Sequence, residues 1–516
     1  MASDSIAILF DRYGPAYKWL ATATCLVGIM TMTLGATTVN VAFPAIMGTF
    51  GIGRDQAQLI STGYFAAQTA GMLLSAWLIV ALGERSSFTI AVIGFLCGSA
   101  MSGLAQSSEV LLSGRILQGL SAGIVQPLGM AVTFKVFPRD QKGFSMGIFA
   151  MGNVLAPALG PALGGIAIDL FSWRYIFLLT LPMAFVALIV GNLFLPSREM
   201  PKKFPKFDFL GFGLLCASLV GLLLGFSYGQ RLGWTSTNIL FLFGMGIGGG
   251  VGFVLRQIYA KSPLVNMKVF ANAQFSAAAT IGFFTGCAMF SSFFLMPLFT
   301  QQIQHFSAID AGLLMVPAGL SLLILFPLVG RLSDFVPAYL MICVGMIIFS
   351  IAFFSLSSAD VNTPFWTLVW FTLLVRIGVA CTRSVVNSEA LKSLPSDLVT
   401  QGSSSVNFVR QLGGTLGTNC LGVFLELRIP FHGDAFTAMQ TGASETMREM
   451  RSRLAQLFSE AGVPETIRES GAFHYLGEVI YAQASTLGFQ DAYFVLAMIA
   501  AVGLIPGWFL SRASKS

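Results

Sequence analysis

Fourteen apolar runs of about 20 residues follow one another along the chain, and they leave few folds open to it. Inside a bilayer every backbone N–H and C=O must find a partner within the protein, so runs of this length cross as helices. The first six lie at about 19–43, 57–81, 87–106, 110–136, 143–168 and 173–196. A basic loop, 197–207, separates them from a pair at about 208–229 and 236–258. Six more follow at about 273–301, 308–331, 336–357, 363–392, 402–427 and 490–511. With charged residues at 10% and a mean hydropathy of +0.77, little sequence is left for a large soluble domain. The stretch before the first run is polar and mixed, so no cleavable signal peptide is expected. The expected class is an all-α integral membrane protein in three parts. These are an N-terminal six-helix bundle (1–197), a basic loop with two central spans (198–270), and a C-terminal six-helix bundle (271–516) with an external loop at 428–490.

The net charge of +6 is a topology signal and not a nucleic-acid footprint. Placing the N-terminus inside puts Lys135, Lys142, Lys202, Lys203, Lys206, Arg256, Lys261, Arg331 and Lys392 on the cytoplasmic side. The short external loops then hold only Arg54, Arg174 and Arg231. Both termini are therefore expected in the cytoplasm. A faint internal repeat accompanies the 6 + 2 + 6 pattern, as in transporters built from parallel halves. Leu111-Leu-Ser-Gly-Arg115-Ile in span 4 echoes Leu373-Leu-Val-Arg376-Ile in span 12. The turn Leu82-Gly83-Glu-Arg85 after span 2 matches Gly330-Arg331-Leu-Ser-Asp334 after span 10.

In span 5, small residues recur at every fourth position: Gly152, Ala156, Gly160 and Gly164. On a helix they form one smooth stripe that lets another helix approach closely. Pro157 and Pro161 lie beside it and remove backbone donors, which makes a place to bend. This segment resembles the antiporter motif of drug-efflux members of the major facilitator superfamily. Further matches follow in order: Gly114-Arg-Ile-Leu-Gln-Gly119, Ser172-Trp-Arg-Tyr-Ile-Phe177, Ala311-Gly-Leu-Leu-Met-Val-Pro317 and Arg410-Gln-Leu-Gly-Gly-Thr-Leu-Gly417. Together they resemble the fourteen-span drug:proton antiporter branch, the EmrB/QacA type, over nearly the whole chain. The resemblance implies the major facilitator fold in a bacterial inner membrane, and alternating access between two bundles. It implies proton-coupled efflux of amphipathic toxic compounds, and a periplasmic adaptor of the EmrA type as partner. Gly83, Arg85, Gly330, Arg331 and Asp334 would form the cytoplasmic gate.

Two departures matter. Span 1 reads Leu34-Gly-Ala-Thr-Thr-Val-Asn40-Val-Ala-Phe-Pro44, with Gly35 where the family usually carries the acid expected to hold the proton. The loop after span 2 lacks the family's Asp-Arg pair and keeps only Gly83 and Arg85.

Ionisable residues inside spans are costly and are functional candidates by default. Arg115, Arg376, Arg383 and Arg410 qualify. Arg376, Arg383 and Asn387 fall within roughly 40° of arc on one helix, a polar stripe expected to face the interior. Glu389 stands about 140° away, with Lys392 at i+3. Two roles are open to it: a structural ion pair, or the titrating group of proton coupling. Asn40, Gln68, Gln118, Asn153 and Asn407 are further cavity candidates, and Phe283, Phe284, Phe290, Phe293 and Phe294 are possible lining or lipid-facing rings. A cavity with four arginines and almost no acid points to anionic, weakly acidic or neutral amphipaths.

Other patterns carry no chemistry. Gly244-Met-Gly-Ile-Gly-Gly249 matches GxGxxG inside span 8, where helix packing explains it. His305 to Asp310 matches HxxxxD in a short external loop. Three histidines, all external, and seven cysteines within apolar runs make neither a metal site nor a disulfide framework, and no cofactor is expected. In the external loop, 445–461 reads as an amphipathic helix. It would serve as an adaptor's docking surface or as a cap on its own bundle. The alternative function within the same fold is a lipid or fatty-acid exporter or an uncoupled facilitator, which Gly35 would suit. An acyl- or glycosyltransferase would need His, Asp or Glu clustered at a membrane face, and the sequence offers no such cluster.

Overall fold

The computed structural model describes residues 5–197, 205–439, 445–462 and 464–507, and these fold as helices without a strand. The first half holds α1 (Ile6–Tyr13), α2 (Tyr17–Thr37), α3 (Val39–Phe50), α4 (Arg54–Gly103), α5 (Ser108–Val136), α6 (Lys142–Leu170), α7 (Tyr175–Leu178) and α8 (Thr180–Phe194). The central pair is α9 (Phe209–Leu232) and α10 (Thr237–Tyr259). The second half holds α11 (Lys268–Ala271), α12 (Ala273–Gln302), α13 (Ala308–Leu332), α14 (Ala338–Leu356), α15 (Phe365–Lys392), α16 (Val399–Met439), α17 (Glu445–Glu460) and α18 (Glu465–Val502). Eleven described helical segments are long and apolar enough to cross a membrane. One of them, Leu59–Gly103, joins two expected spans, and neither α6 nor α16 is among the eleven.

The junction inside α4 is made by Gly83, at φ 82° and ψ 171°. Only glycine reaches that region without strain, so the chain reverses there with no longer loop. Elsewhere the helix starts are set by local chemistry. The Ser107 hydroxyl accepts from Val110 N at 3.4 Å to open α5, and Asn272 Oδ1 accepts from Gln274 N and Phe275 N to open α12. Asp208 caps α9 through Gly211 N (3.1 Å) and also receives Arg256 Nε (3.1 Å) from α10, which ties the central pair together.

Two expectations about element ends change. The expected span 402–427 lies within the longer helix α16, and 490–502 lies within α18; both helices extend into the expected external loop, and 508–511 lie outside the described residues. The amphipathic segment is α17; Leu454 and Phe458 on it pack on Ala472 and Leu476 of α18.

One hydrophobic cluster runs through both halves. Large apolar side chains also cover outer faces, among them Leu240, Phe241, Ile247 and Ile258 of α10, which suits a lipid surround. The Gly152–Gly164 stripe of α6 packs along α2: a Cβ at Gly152 would overlap Leu26, and one at Gly160 would overlap Thr37. Nearer its start, the same helix meets the second half. A Cβ at Gly147 would overlap the Phe326 carbonyl of α13, and one at Gly330 would lie 2.7 Å from Gly143 O. That contact lies at the end of the molecule that carries Lys135, Lys142 and Lys392, called the basic end below.

Candidate functional site

Arg115 sits about two turns into α5 and is fully buried. Its Nη1 donates to Gly35 O (2.9 Å) and to Gln118 Oε1 (3.0 Å), and its guanidinium lies 4.3 Å over the Tyr64 ring. Gln118 in turn donates to Ser99 Oγ at 2.7 Å. The position where the resemblance places an acid therefore meets this arginine through its backbone carbonyl. Two further donors of Arg115, Nε and Nη2, have no partner among the described residues. Asn153 lies apart from this group and accepts from Gln126 Nε2 at 3.1 Å.

A second group forms where α15 and α16 pack together. Arg410 Nη1 donates to Asn387 Oδ1 at 3.1 Å, and its Nη2 donates to Asn407 Oδ1. Asn407 reaches across to the first half, with Nδ2 2.9 Å from Met130 Sδ. Gln411 likewise donates to Gln68 Oε1 at 3.4 Å. Arg383 faces Met289 Sδ (3.4 Å), a weak acceptor, and its Nε has no partner among the described residues. The structure thus gathers Arg383, Asn387, Asn407, Arg410 and Gln68 at the meeting of the halves.

Arg376 shares the helical arc of Arg383 but not its surroundings. It stacks 4.0 Å over the Phe293 ring and lines a small cavity with Thr372, Ser292 and Tyr493. In each half, then, one arginine from the repeated segment rests on an aromatic face. Such stacking favours a guanidinium but does not neutralise it. Among the described residues no carboxylate pairs with Arg115, Arg376, Arg383 or Arg410. A buried charge without a counter-charge costs several kcal/mol, and a carboxylate or phosphate group would offset that cost with bidentate hydrogen bonds.

Asp334, Glu389 and Glu84 stand at the basic end. Asp334, just beyond α13, accepts from Gly143 N (2.7 Å) and Phe144 N (3.0 Å), so a residue of one half caps the first turn of α6 in the other. Lys392 Nζ lies 3.7 Å from Asp334 and 3.6 Å from Glu389, whose other oxygen accepts from Gln274 Nε2 at 2.9 Å. The i+3 pair of Glu389 and Lys392 is thus present. A second cross-half link runs from Glu84 to Lys135 (3.0 Å) and on to Thr400 Oγ1 (3.3 Å) in the first turn of α16. Arg85 instead ties back within its own half, donating from Nε to Leu195 O at 2.7 Å, and Arg331 is exposed. Lys142 is held down to about 8 by burial first, and then by Arg139 and Lys392 nearby. Asn40 and Pro161 lie outside the residues whose side chains are described.

Sequence reasoning did not place Glu84, Lys135, Thr400, Gln126 or Gln411 in the site, and Lys135 entered it only as a topology charge. Only Glu84 carried a signal: it is the acid adjoining Gly83 in the turn that lacks the family's aspartate.

The family model described as Major Facilitator Superfamily matches residues 25–418. The multidrug export protein EmrB of Haemophilus influenzae is 26% identical over 505 residues, covering 96% of this chain and 96% of its own. The fatty acid resistance protein FarB of Neisseria gonorrhoeae is 24% identical over 500 residues, covering 97% of each. Among solved structures, the proton:xylose symporter XylE superposes with a TM-score of 0.62 at 12% identity, covering 96% of each chain. At that identity the likeness speaks for the fold alone.

Proposed function

Because this chain belongs to the major facilitator superfamily and is a multi-pass membrane transporter, we propose that it exports amphipathic compounds of anionic, weakly acidic or neutral character by alternating access. One observation carries the substrate preference: four buried arginines have no carboxylate partner among the described residues. Arg383 and Arg410 stand at the meeting of the halves, with Arg115 in one half and Arg376 in the other, so a positive field spans the centre. Gln68, Gln118, Asn153, Asn387 and Asn407 supply neutral hydrogen bonds beside it. A lipophilic cation would meet repulsion there.

The proposed architecture has fourteen spans with both termini in the cytoplasm, which makes the basic end the cytoplasmic one. Residues 1–197 and 271–516 are the two rocking bundles, and 198–270 holds the added pair. The α6 stripe with Pro157 and Pro161 permits the rocking, and Gly83, Arg85, Gly330, Arg331 and Asp334 belong to the cytoplasmic gate. Proton coupling is assigned to Glu389, an acid beside that gate that pairs with Lys392 and Gln274. An EmrA-type adaptor would dock on the outward helices, where Leu457, Phe473 and Tyr481 are exposed. Deleting 443–462 with full efflux retained in intact cells would remove the adaptor reading for α17.

A second reading is export of lipids or fatty acids, or uncoupled facilitation. It is favoured by Gly35, which leaves Arg115 facing a backbone carbonyl, and by FarB's name. The test for both is proton movement in energised inside-out vesicles. Lipophilic weak acids, corrected against empty vesicles, should discharge the pH gradient in a protein-dependent way, and lipophilic cations should not. Discharge by cations would overturn the anionic preference. No discharge by either would select the second reading.

A further inference from the structure

The seam between the halves has two sides, and they are finished differently. On one, α4 meets α16 through polar side chains, Gln68 with Gln411 at 3.4 Å and Ser75 with Ser404 at 2.9 Å. On the other, α6 meets α13 backbone to backbone, with Gly147 against the Phe326 carbonyl and Gly330 against Gly143. The central pair stands at the first side. α9 packs on both α4 and α16, which also pack on each other. Its Leu215 and Leu219 share an apolar cluster with Ala70 and Leu73 of α4 and with Phe408 and Leu412 of α16. Among the described residues that cluster holds none of α6 or α13. Phe209, Leu210 and Val220 of α9 are exposed, so the helix lies between the α4–α16 seam and the lipid.

The pair is anchored unequally. Trp77 of α4 donates from Nε1 to Pro205 O at 3.1 Å, and its ring meets Phe207 edge-on at 5.0 Å, just ahead of α9. Toward α16 the cluster contact is apolar, through Phe408 and Leu412. Within the pair, a Cβ at Gly221 would lie 2.6 Å from Gly246 N, so α9 and α10 pack as one close hairpin.

We propose that the central pair is a lipid-side wall over the α4–α16 seam, which leaves the α6–α13 seam as the lateral route by which amphipathic compounds pass between the bilayer and the centre. When the halves part, Gln68, Ser75, Ser404 and Gln411 lose their partners, and an unsatisfied polar group facing hydrocarbon is costly. A wall that moves with the first half keeps lipid tails off them while α16 slides past its apolar face. The α6–α13 seam needs no such cover, because its close contacts are helix backbones already paired within their own helices. Leu323, three residues before Phe326 on the same side of α13, is 37% exposed and gives that seam an apolar lip. The lateral route rests on the proposed transport of amphipaths, whereas the wall does not.

The wall is tested without transport. The full chain is reconstituted in vesicles containing a phospholipid with a diazirine in one acyl chain, irradiated, and mapped by mass spectrometry. Label is expected on Leu323 and Val220 and not on Ala70, Leu73, Phe408 or Leu412. Leu215→Ala combined with Leu219→Ala should bring label to Phe408 and Leu412; if that variant does not fold, the wild-type pattern decides. Label on Phe408 or Leu412 in the wild type, or none there in a folded double variant, would overturn the wall. The route is tested by uptake of a lipophilic weak acid into inside-out vesicles, corrected against empty ones. Leu323→Trp should slow it several-fold, and Val220→Trp should leave it unchanged. Equal rates in Leu323→Trp and the wild type would overturn the lateral route. If the wild type moves no acid, the proposed transport falls, and the labelling still decides the wall.

Discussion

Arg383 shows what a single side chain contributes here. Its guanidinium faces a thioether and a neighbouring arginine group rather than a carboxylate, so a bound anion is the natural source of its missing hydrogen bonds. Arg383→Met should therefore lower kcat/KM for a lipophilic weak acid by about 10- to 100-fold, the worth of a charged hydrogen bond. A neutral amphipath should be affected much less, and paired transport assays with the two substrates check this. Lys142 gives a pH signature. Its ordinary value of 10.5 is brought to about 8 in the folded protein, so between these values the unfolded chain binds more protons and stability rises with pH. Unfolding midpoints measured from pH 7 to 10 should rise more steeply in the wild type than in Lys142→Met. The arginines were legible in the sequence because charge inside an apolar run is conspicuous; their grouping was not. Arg376 and Arg383 share an arc, but seven residues separate them by about 10 Å along the axis, enough to put them in different surroundings.

At the scale of the helix, α6 is held from outside its own half. Asp334 satisfies two of its first backbone donors, so Asp334→Ala should weaken that cap by about 1 kcal/mol. The expected readout is faster cysteine labelling of residues buried where α6 meets α13, with the fold intact by circular dichroism. Gly83 makes the reversal within α4 at a conformation open essentially to glycine alone, and Gly83→Ala should lower stability by about 1–3 kcal/mol in equilibrium unfolding. The apolar runs located the membrane-length helices because hydropathy reports burial in lipid. They could not report how far α16 and α18 run past the expected spans into the expected loop, since polar helix leaves no hydropathy signal. The small-residue stripe announced a close approach but not its partner; α2 took it, while Gly143 and Gly147 met α13.

Taken whole, the molecule has its halves joined through a column of polar contacts. Gln68 meets Gln411, Ser75 meets Ser404 at 2.9 Å, Ser403 donates to Pro127 O at 2.7 Å, and Lys135 reaches Thr400. A transporter that alternates must break this column once per cycle. Ser75→Cys with Ser404→Cys places two thiols close enough to oxidise, and the resulting disulfide should stop transport, with recovery on reduction. Retained transport in the oxidised protein would show that these helices stay together throughout the cycle. None of these pairs was legible in the sequence, because each joins residues from opposite halves whose spacing only the assembled fold sets.

The two cross-half links at the basic end differ in kind. Asp334 is nearly buried and grips backbone N–H groups directly, whereas Glu84 acts through Lys135, whose side chain is 27% exposed. Dissolved ions weaken exposed charge pairs far more than buried ones. Added salt thus acts on Lys135, which ties Glu84 of its own half to Thr400 of the other, and spares Asp334, so the seam between the halves would loosen first along the α5–α16 side while α6 and α13 still hold.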